Sequence, residues 1–161
     1  MKYTVRNAQM EDFPRIEEIY VFARKYMAEN GNPSQWGKTN PPRERLLQDI
    51  EEQKLYVVED RAGIHGVFFY MIGEDPTYGV IVGGNWTQDG VYGTIHRIAG
   101  DGSGGVLRTA VEFARTQCPY VRIDTHENNH TMHAGLQKLG FRKCGMIYIA
   151  DGSERIAYDY C

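Results

Sequence analysis

The segment spanning residues 91–117 constrains the fold more than any other part of the sequence. An apolar run is followed by four glycines among residues 100–105, and then by an amphipathic stretch. Its apolar positions recur at helical spacing, at Val106, Leu107, Ala110, Val111 and Ala114. Glycines allow close approach to the backbone, and a helix N-terminus offers unpaired N–H groups with partial positive charge. The segment therefore predicts a strand over residues 91–99, an anion-binding loop and a helix over residues 103–117; the alternative is a flexible turn without a ligand.

The rest of the chain alternates between helical and strand periodicity. Helical spacing predicts a long helix over residues 12–30 with Asp12 as its N-cap, and a short helix around residues 46–50. A later helix is expected at residues 129–139. Alternating or apolar runs predict strands at residues 3–6, 55–59, 64–72, 120–124, 141–149 and 154–160. This order indicates one α/β domain that covers residues 1–161.

Composition and charge exclude several classes of partner. The 161 residues carry a formal charge of −3 without a basic cluster, which argues against a nucleic-acid partner. No run approaches the roughly 18 apolar residues of a membrane span, and no secretory leader is visible. Three cysteines at unpatterned positions suit reduced thiols. We therefore expect a cytoplasmic protein with no membrane partner.

A literal H-E-x-x-H motif runs from His126 to His130. In zinc proteases both histidines lie on one helix, so that both reach the metal. Here His126 directly follows an apolar strand, and Asn129 has the character of a helix N-cap. The histidines are therefore expected on opposite sides of a strand-to-helix turn, and no metal site is predicted. A zinc hydrolase remains the least favoured alternative.

Taken in order, these segments resemble the GNAT superfamily of N-acetyltransferases. The resemblance covers nearly the whole chain. It is carried by residues 92–99 with the glycine loop, by residues 123–126 with Asn129 and Met132, and by Gly140-Phe141 with Gly145. It implies a mixed, twisted sheet of six to seven strands with about four helices. Two central parallel strands, at residues 91–99 and 120–124, would splay apart to admit pantetheine.

The resemblance also implies acetyl-CoA as the acyl donor. Pantetheine would pair with the first splayed strand like an added strand, through backbone groups near Ile98 and Ala99. Asn129 matches the family asparagine that contacts the cofactor. N–H groups of the loop would hold the pyrophosphate, with the cofactor-binding set comprising Asp101, Gly102, Ser103, Gly104, Gly105 and Val106.

Two departures from the family pattern concern the loop and the catalytic acid. A literal match to the family loop starts at Arg97, inside the strand, whereas the window next to the helix, residues 100–105, lacks the leading Gln or Arg. Many members carry a tyrosine acid four residues before the Gly-Phe pair, and here that position is Leu136. Tyr148 and His133 are the substitutes, with Tyr148 as the candidate acid and water as an alternative proton source.

His96 is the candidate general base, because it lies on the central strand and histidine exchanges protons near neutral pH. Strict alternation would place Thr94, His96 and Ile98 on one face of the strand, and Ile95 and Arg97 on the other. A hydrogen-bonded structural histidine is the alternative.

Trp36 and Tyr92 are the candidate acceptor-site residues. Gln35-Trp36 resembles a Gln-Trp pair that lines the acceptor site in some members, with a core plug as the alternative. The expected reaction is acetyl transfer from acetyl-CoA to a primary amine of a small molecule or peptide, by direct attack in a ternary complex. A non-catalytic acyl-CoA-binding module is the second hypothesis, and a homodimer is compatible with either.

Overall fold

Seven strands form one mixed sheet in the structure, a computed structural model that describes residues 2–161. Their order across the sheet is β1-β2-β3-β4-β5-β7-β6, and only β4 and β5 run parallel. The strands are β1 (Thr4–Asn7), β2 (Leu55–Asp60), β3 (Gly63–Ile72), β4 (Gly93–Gly100), β5 (Val121–Thr125), β6 (Arg142–Tyr148) and β7 (Glu154–Tyr160). The predicted mixed sheet of six to seven strands is confirmed.

Four helices cover the two faces of the sheet: α1 (Phe13–Glu29), α2 (Arg43–Glu51), α3 (Val106–Gln117) and α4 (His130–Lys138). Buried residues of α1 and α2 form one apolar cluster with β2 and β3. Residues of α3 and α4 form a second cluster on the opposite face. A third cluster joins Tyr78 and Tyr92, both in the segment between β3 and β4, to Tyr120 just before β5 and to residues of β6 and β7.

The parallel strands β4 and β5 stay together for only two residues. Gly93 pairs with Val121 and Thr94 with Arg122, and the strands diverge beyond these pairs. On its other side β4 remains paired with β3 as far as Gly100. The resulting opening in the middle of the sheet is the predicted splay.

A β-bulge interrupts the expected alternation of the β4 side chains. His96 pairs with Phe69 and Ala99 with Val67, so β4 has one extra residue between these pairs. Arg97 takes a left-handed φ of 51°. Thr94 and His96 keep to the predicted face, but Ile98 packs with the cluster under α3 and α4 on the other side. The prediction for Ile98 was wrong, because a bulge reverses the alternation that follows it.

Contacts distant in sequence hold Arg97 in this conformation. Its guanidinium pairs with buried Asp49 at 2.9 Å and lies 4.4 Å from the Phe69 ring centroid. The Tyr20 hydroxyl donates to the Arg97 carbonyl at 2.6 Å. Strained backbone of this kind persists only where its surroundings fix it.

Helix α1 begins at Phe13 with Asp12 at the N-cap position, as predicted, whereas α3 begins later than predicted. The Asp12 side chain does not cap α1; its carboxylate accepts hydrogen bonds from Arg6 and from the Gln9 backbone N–H. Helix α3 starts at Val106 rather than near residue 103, because the loop before it has left-handed φ values at Gly102, Gly104 and Gly105.

The cysteines are packed or surface thiols. Cys118 and Cys144 are buried, Cys161 is exposed, and all three are free. Burial raises the pKa of Cys144 to about 12, which keeps it protonated and unreactive. Within residues 2–161, no helix combines the length and apolarity that membrane crossing requires.

We expect Tyr20→Phe to lower the free energy of unfolding by about 1 kcal/mol, because it removes the hydrogen bond that fixes the bulge carbonyl. Tyr26→Phe is the matched control, since this tyrosine of the same helix is 41% exposed and its loss should change stability by less than about 0.5 kcal/mol. Urea denaturation measures both variants. Equal stability of the two would contradict the role given to Tyr20.

Candidate active site

A cavity of about 630 Å³ opens where β4 and β5 separate. Both strands contribute to its wall, together with the loop after α1, the segment after β3 and the start of β7. Four residues predicted from the sequence line it, namely Trp36, His96, Ile98 and Asn129. The structure therefore brings the candidate base and part of the predicted cofactor and acceptor sites to one place.

His96 is oriented by a carboxylate. Its Nε2 lies 2.6 Å from Asp75 Oδ2, and because an ionised carboxylate only accepts, Nε2 must carry the proton. Nδ1 of the neutral imidazole is then an acceptor, and it lies 3.8 Å from Asp124 Oδ2. The arrangement resembles the orienting carboxylate and histidine of nucleophilic triads, in which the carboxylate fixes the tautomer of the base.

Asp75 is itself held in place. Its Oδ1 accepts hydrogen bonds from the Thr77 backbone N–H at 2.9 Å and hydroxyl at 2.6 Å. Burial raises the pKa of Asp75, but the hydrogen bonds with His96 and Thr77 outweigh it and lower this pKa to about 2. Asp75 is therefore a carboxylate over the whole physiological pH range.

Tyr92 supports Asp75 and does not line the cavity. It is 5% exposed, and its hydroxyl accepts a hydrogen bond from the Asp75 backbone N–H at 2.7 Å. The Arg122 guanidinium lies 4.1 Å from its ring centroid. The expectation that Tyr92 borders the acceptor is corrected, because its ring is enclosed in the third cluster.

Asp124 faces His96 across the opening. The buried Tyr78 hydroxyl donates to Asp124 Oδ2 at 2.7 Å. Burial, followed by the nearby Asp124 charge, raises the pKa of Tyr78 well above its usual value, so this hydroxyl stays a donor. The side chain of Asp124 is only 10% exposed, and the residue lines the cavity. Asp124 and His96 Nδ1 thus present two acceptors to one small volume.

The glycine loop presents part of the predicted set of N–H donors. The N–H of Asp101 donates to the His65 carbonyl, and that of Ser103 to the Asp101 carboxylate, so these two donors are already used. Over residues 2–161 the remaining N–H groups of the set have no protein acceptor; they belong to Gly102, Gly104, Gly105 and Val106. The structure thus reduces the predicted pyrophosphate donors from six N–H groups to these four.

The Asp101 side chain anchors the loop to its neighbours. Its carboxylate lies 2.8 Å from Arg15 and 2.9 Å from His65, and the other ring nitrogen of His65 lies 2.8 Å from Asp60. The hydrogen bonds with Asp101 and then Asp60 raise the pKa of His65 above its usual value. The Asp101 side chain thus anchors the loop and does not bind an anion. Ala99, another residue of the predicted cofactor-binding set, is buried in the cluster under α1.

Asn129 caps α4 and fastens the loop that carries Trp36. Its Oδ1 accepts from the Met132 N–H at 3.2 Å, and its Nδ2 donates to Gln35 Oε1 at 3.1 Å. Trp36 packs against the Tyr20 ring at 5.5 Å while lining the cavity. Trp36 therefore both packs against the core and forms part of the cavity wall.

The structure does not bring Tyr148 to His96. Tyr148 ends β6 with 45% of its surface exposed, and it is not among the cavity-lining residues. Leu136, at the position of the family tyrosine, is buried in the core. His133 has both ring nitrogens engaged, with the Tyr158 hydroxyl at 2.6 Å and the His126 carbonyl at 3.1 Å.

The two histidines of the H-E-x-x-H motif do not share a helix. His126 follows the end of β5, and His130 is the first residue of α4. Across residues 2–161, no group of three or more His, Cys, Asp or Glu side chains is arranged to hold a metal ion. The predicted separation of the two histidines is confirmed.

Four residues that line or support the cavity were not predicted from the sequence, namely Asp75, Tyr78, Asp124 and Arg155. Asp124 could have been recognised as a polar residue that closes the strand after the glycine-loop helix. Asp75 lies in a loop between predicted strands, and no sequence signal connects it to His96. Arg155 lies within the strand predicted at residues 154–160, where it was expected to be structural, although it lines the cavity.

Comparison with known proteins agrees with this arrangement. No protein-family profile and no curated protein sequence matches the chain. Solved structures do match. A GNAT-family acetyltransferase from Streptococcus agalactiae is 30% identical, with a TM-score of 0.87 over 98% of this chain and 94% of that one.

Two further structures share the fold at lower identity. A GNAT-family acetyltransferase from Listeria monocytogenes is 19% identical, with a TM-score of 0.68 over 98% of this chain and 93% of that one. A ribosomal-protein-alanine N-acetyltransferase from Brucella melitensis is 18% identical, with a TM-score of 0.61 over 97% and 98%. The 30% identity to the streptococcal protein over nearly its full length, together with the splayed strands, shows that the chain belongs to the GNAT family of acetyltransferases.

Proposed function

We propose that the protein transfers an acetyl group from acetyl-CoA to a primary amine, by direct attack in a ternary complex. The observation that carries the proposal is the orientation of His96 by Asp75, opposite Asp124, at the point where β4 and β5 separate. Family membership supports acetyl transfer in general and acetyl-CoA as donor. The amine acceptor and the roles of individual residues are our proposal.

The residues present fit coenzyme A at two places. Beyond Thr94 the edge of β4 that faces β5 has no strand partner in the described chain, so its backbone groups can pair with the amides of a pantetheine arm. The free N–H groups of Gly104, Gly105 and Val106 stand at the N-terminus of α3, where a pyrophosphate is favoured. Acetyl-CoA supplies the activated thioester when bound.

His96 and Asp124 prepare the acceptor. An amine reaches the cavity as an ammonium ion and can attack only after losing a proton. Asp124 attracts the ammonium, and His96 Nδ1 accepts the proton as general base. Asp75, ionised throughout, holds the other nitrogen protonated and stabilises the imidazolium that forms. The resulting neutral amine carries its lone pair toward the opening between the strands.

We assign the remaining proton transfers to water, which takes the second proton of the nitrogen as the C–N bond forms and gives one to the sulfur as the C–S bond breaks. Leu136 offers no proton, Tyr148 is exposed outside the cavity, and both nitrogens of His133 are engaged. N–H groups on the unpaired edge of β4 are suited to the oxyanion that develops during attack. The chain thus contributes base, amine site and oxyanion donors without a side-chain acid.

The proposed function is tested by two measurements. Coenzyme A release is followed with acetyl-CoA and a broad panel of amines, and coenzyme A binding is measured by calorimetry. We expect binding together with amine-dependent release. Binding without turnover on any amine would favour an acyl-CoA-binding module, and no binding at millimolar coenzyme A would contradict both readings.

We expect Gly104→Glu to weaken coenzyme A binding by about tenfold or more relative to Gly104→Ala, because it places an anion beside the phosphates. The alanine variant is the matched control: Gly104 has a φ of 88°, so both side chains meet the same backbone strain of about 1 kcal/mol. Calorimetric titration measures both. Equal affinities would show that the pyrophosphate lies elsewhere.

We expect His96→Gln to lower kcat on the order of 100-fold or more, because the amine then loses its general base. His130→Gln is the matched control, since His130 is exposed and outside the cavity, and it should keep kcat within about twofold. Steady-state kinetics with the best amine of the panel measures both. A large loss in the control would instead support a role for the H-E-x-x-H motif.

A further inference from the structure

Arg155 is a buried cation in the wall of the cavity without a paired anion. The residue is 7% exposed. Its guanidinium donates to the Ser153 hydroxyl at 3.2 Å, the Glu154 carbonyl at 2.8 Å and the Gln35 carbonyl at 3.4 Å. All three acceptors are uncharged. In the part of the chain that the structure describes, no carboxylate lies within 4.0 Å of it.

The other basic side chains of the cavity differ from Arg155, because each is either paired with a carboxylate or exposed. Arg97 is paired with Asp49 at 2.9 Å, Lys54 with Glu52 at 3.5 Å, and His96 with Asp75 at 2.6 Å. Arg45 is exposed and solvated. Burying a guanidinium is costly unless an anion compensates it. Burial indeed lowers the pKa of Arg155, although the charges of Asp124 and Asp151 oppose this effect.

Two donors of Arg155 are unused, one on Nε and one on Nη2. A guanidinium has five N–H donors, and the three hydrogen bonds occupy both hydrogens of Nη1 and one of Nη2. Nε–H and the second Nη2–H remain. Adjacent guanidinium N–H groups form a fork that binds the two oxygens of a carboxylate. The free donors therefore match a carboxylate better than a neutral group or a second cation.

Arg155 and Asp124 lie on the same face of the sheet. Asp124 on β5 pairs with Ala157 on β7, and Arg155 is two residues from Ala157 along that strand. Residues two apart share a face, so Arg155 is a diagonal neighbour of Asp124, with Cα atoms on the order of 7–8 Å apart. Both line the cavity. One small molecule can therefore meet the anionic site and the cationic site at once.

We infer that the acceptor is an amine that also carries a carboxylate, in the manner of an amino acid, with Arg155 binding that carboxylate. The inference rests on the proposed function and specifies its substrate class. Asp124 and His96 receive the ammonium, and Arg155 receives the carboxylate a few ångströms away. The cavity wall also contains Met27, Phe69 and Ile149, which favours an apolar side chain. A polyamine is disfavoured, because the unpaired Arg155 repels a second cation.

Matched ligand pairs test the inference. Phenylalanine is compared with phenethylamine, and methionine with methylthiopropylamine; within each pair only the carboxylate differs. Binding to the protein saturated with coenzyme A is measured by calorimetry, so that the result does not require turnover. We expect at least one amino acid to bind about 100-fold more tightly than its decarboxylated partner. Amines that bind as tightly as their amino acids would overturn the inference.

Arg155→Met and Arg155→Lys test the residue itself. The methionine variant should lose the preference for the amino acid and retain affinity for the amine, whereas the lysine variant should keep part of the preference. Thermal denaturation and coenzyme A binding confirm that each variant is folded. If neither variant folds, the comparison of ligand pairs on the wild-type protein decides the inference by itself. A folded methionine variant with undiminished preference would contradict the role of Arg155. Absence of acetylation with intact discrimination would instead count against the proposed function.

Discussion

The parting of β4 from β5 after two paired residues is the constraint on which the rest of the structure depends. It leaves an unpaired strand edge in the middle of the sheet, where backbone groups are normally satisfied by a neighbour. The opening persists because each strand is held from its outer side, β4 by β3 and β5 by β7. The bulge at Arg97, tied to Asp49 and Tyr20, bends β4 at the same place.

The polar groups around the opening are supported by aromatic residues outside it. The Tyr92 hydroxyl accepts from the backbone of Asp75, and the Tyr78 hydroxyl donates to the side chain of Asp124. Both tyrosines are buried in the third cluster, with Arg122 lying against the Tyr92 ring. Carboxylates in a poorly solvated cavity are expensive unless they are hydrogen-bonded. The aromatic cluster therefore lets two acidic residues face one histidine.

Features that depend on local sequence were predictable. The strand, glycine loop and helix of residues 91–117 follow from periodicity and glycine chemistry, and resemblance to a family supplied the splayed sheet. The bulge was not predictable, because Arg97 is held by Asp49 and Tyr20, far away in the chain. For the same reason the prediction for Tyr92 was wrong and Asp75 was not predicted. The loop that carries Asp75 meets His96 of β4 only in the folded protein. Arg155 was passed over because its lack of an anion is visible only in three dimensions.

A crystal structure with coenzyme A bound would test the central claim most directly, namely that acyl transfer occurs at the opening between β4 and β5. The account predicts pantetheine along the unpaired edge of β4, with the sulfur beside His96 and the pyrophosphate on the N–H groups of Gly104, Gly105 and Val106. The surface groove between β1 and α3 shares Gly104 and Gly105 with the proposed pyrophosphate site and is also lined by Lys2 and Arg108. Coenzyme A that lies wholly along this groove, with its sulfur away from His96, would contradict the account.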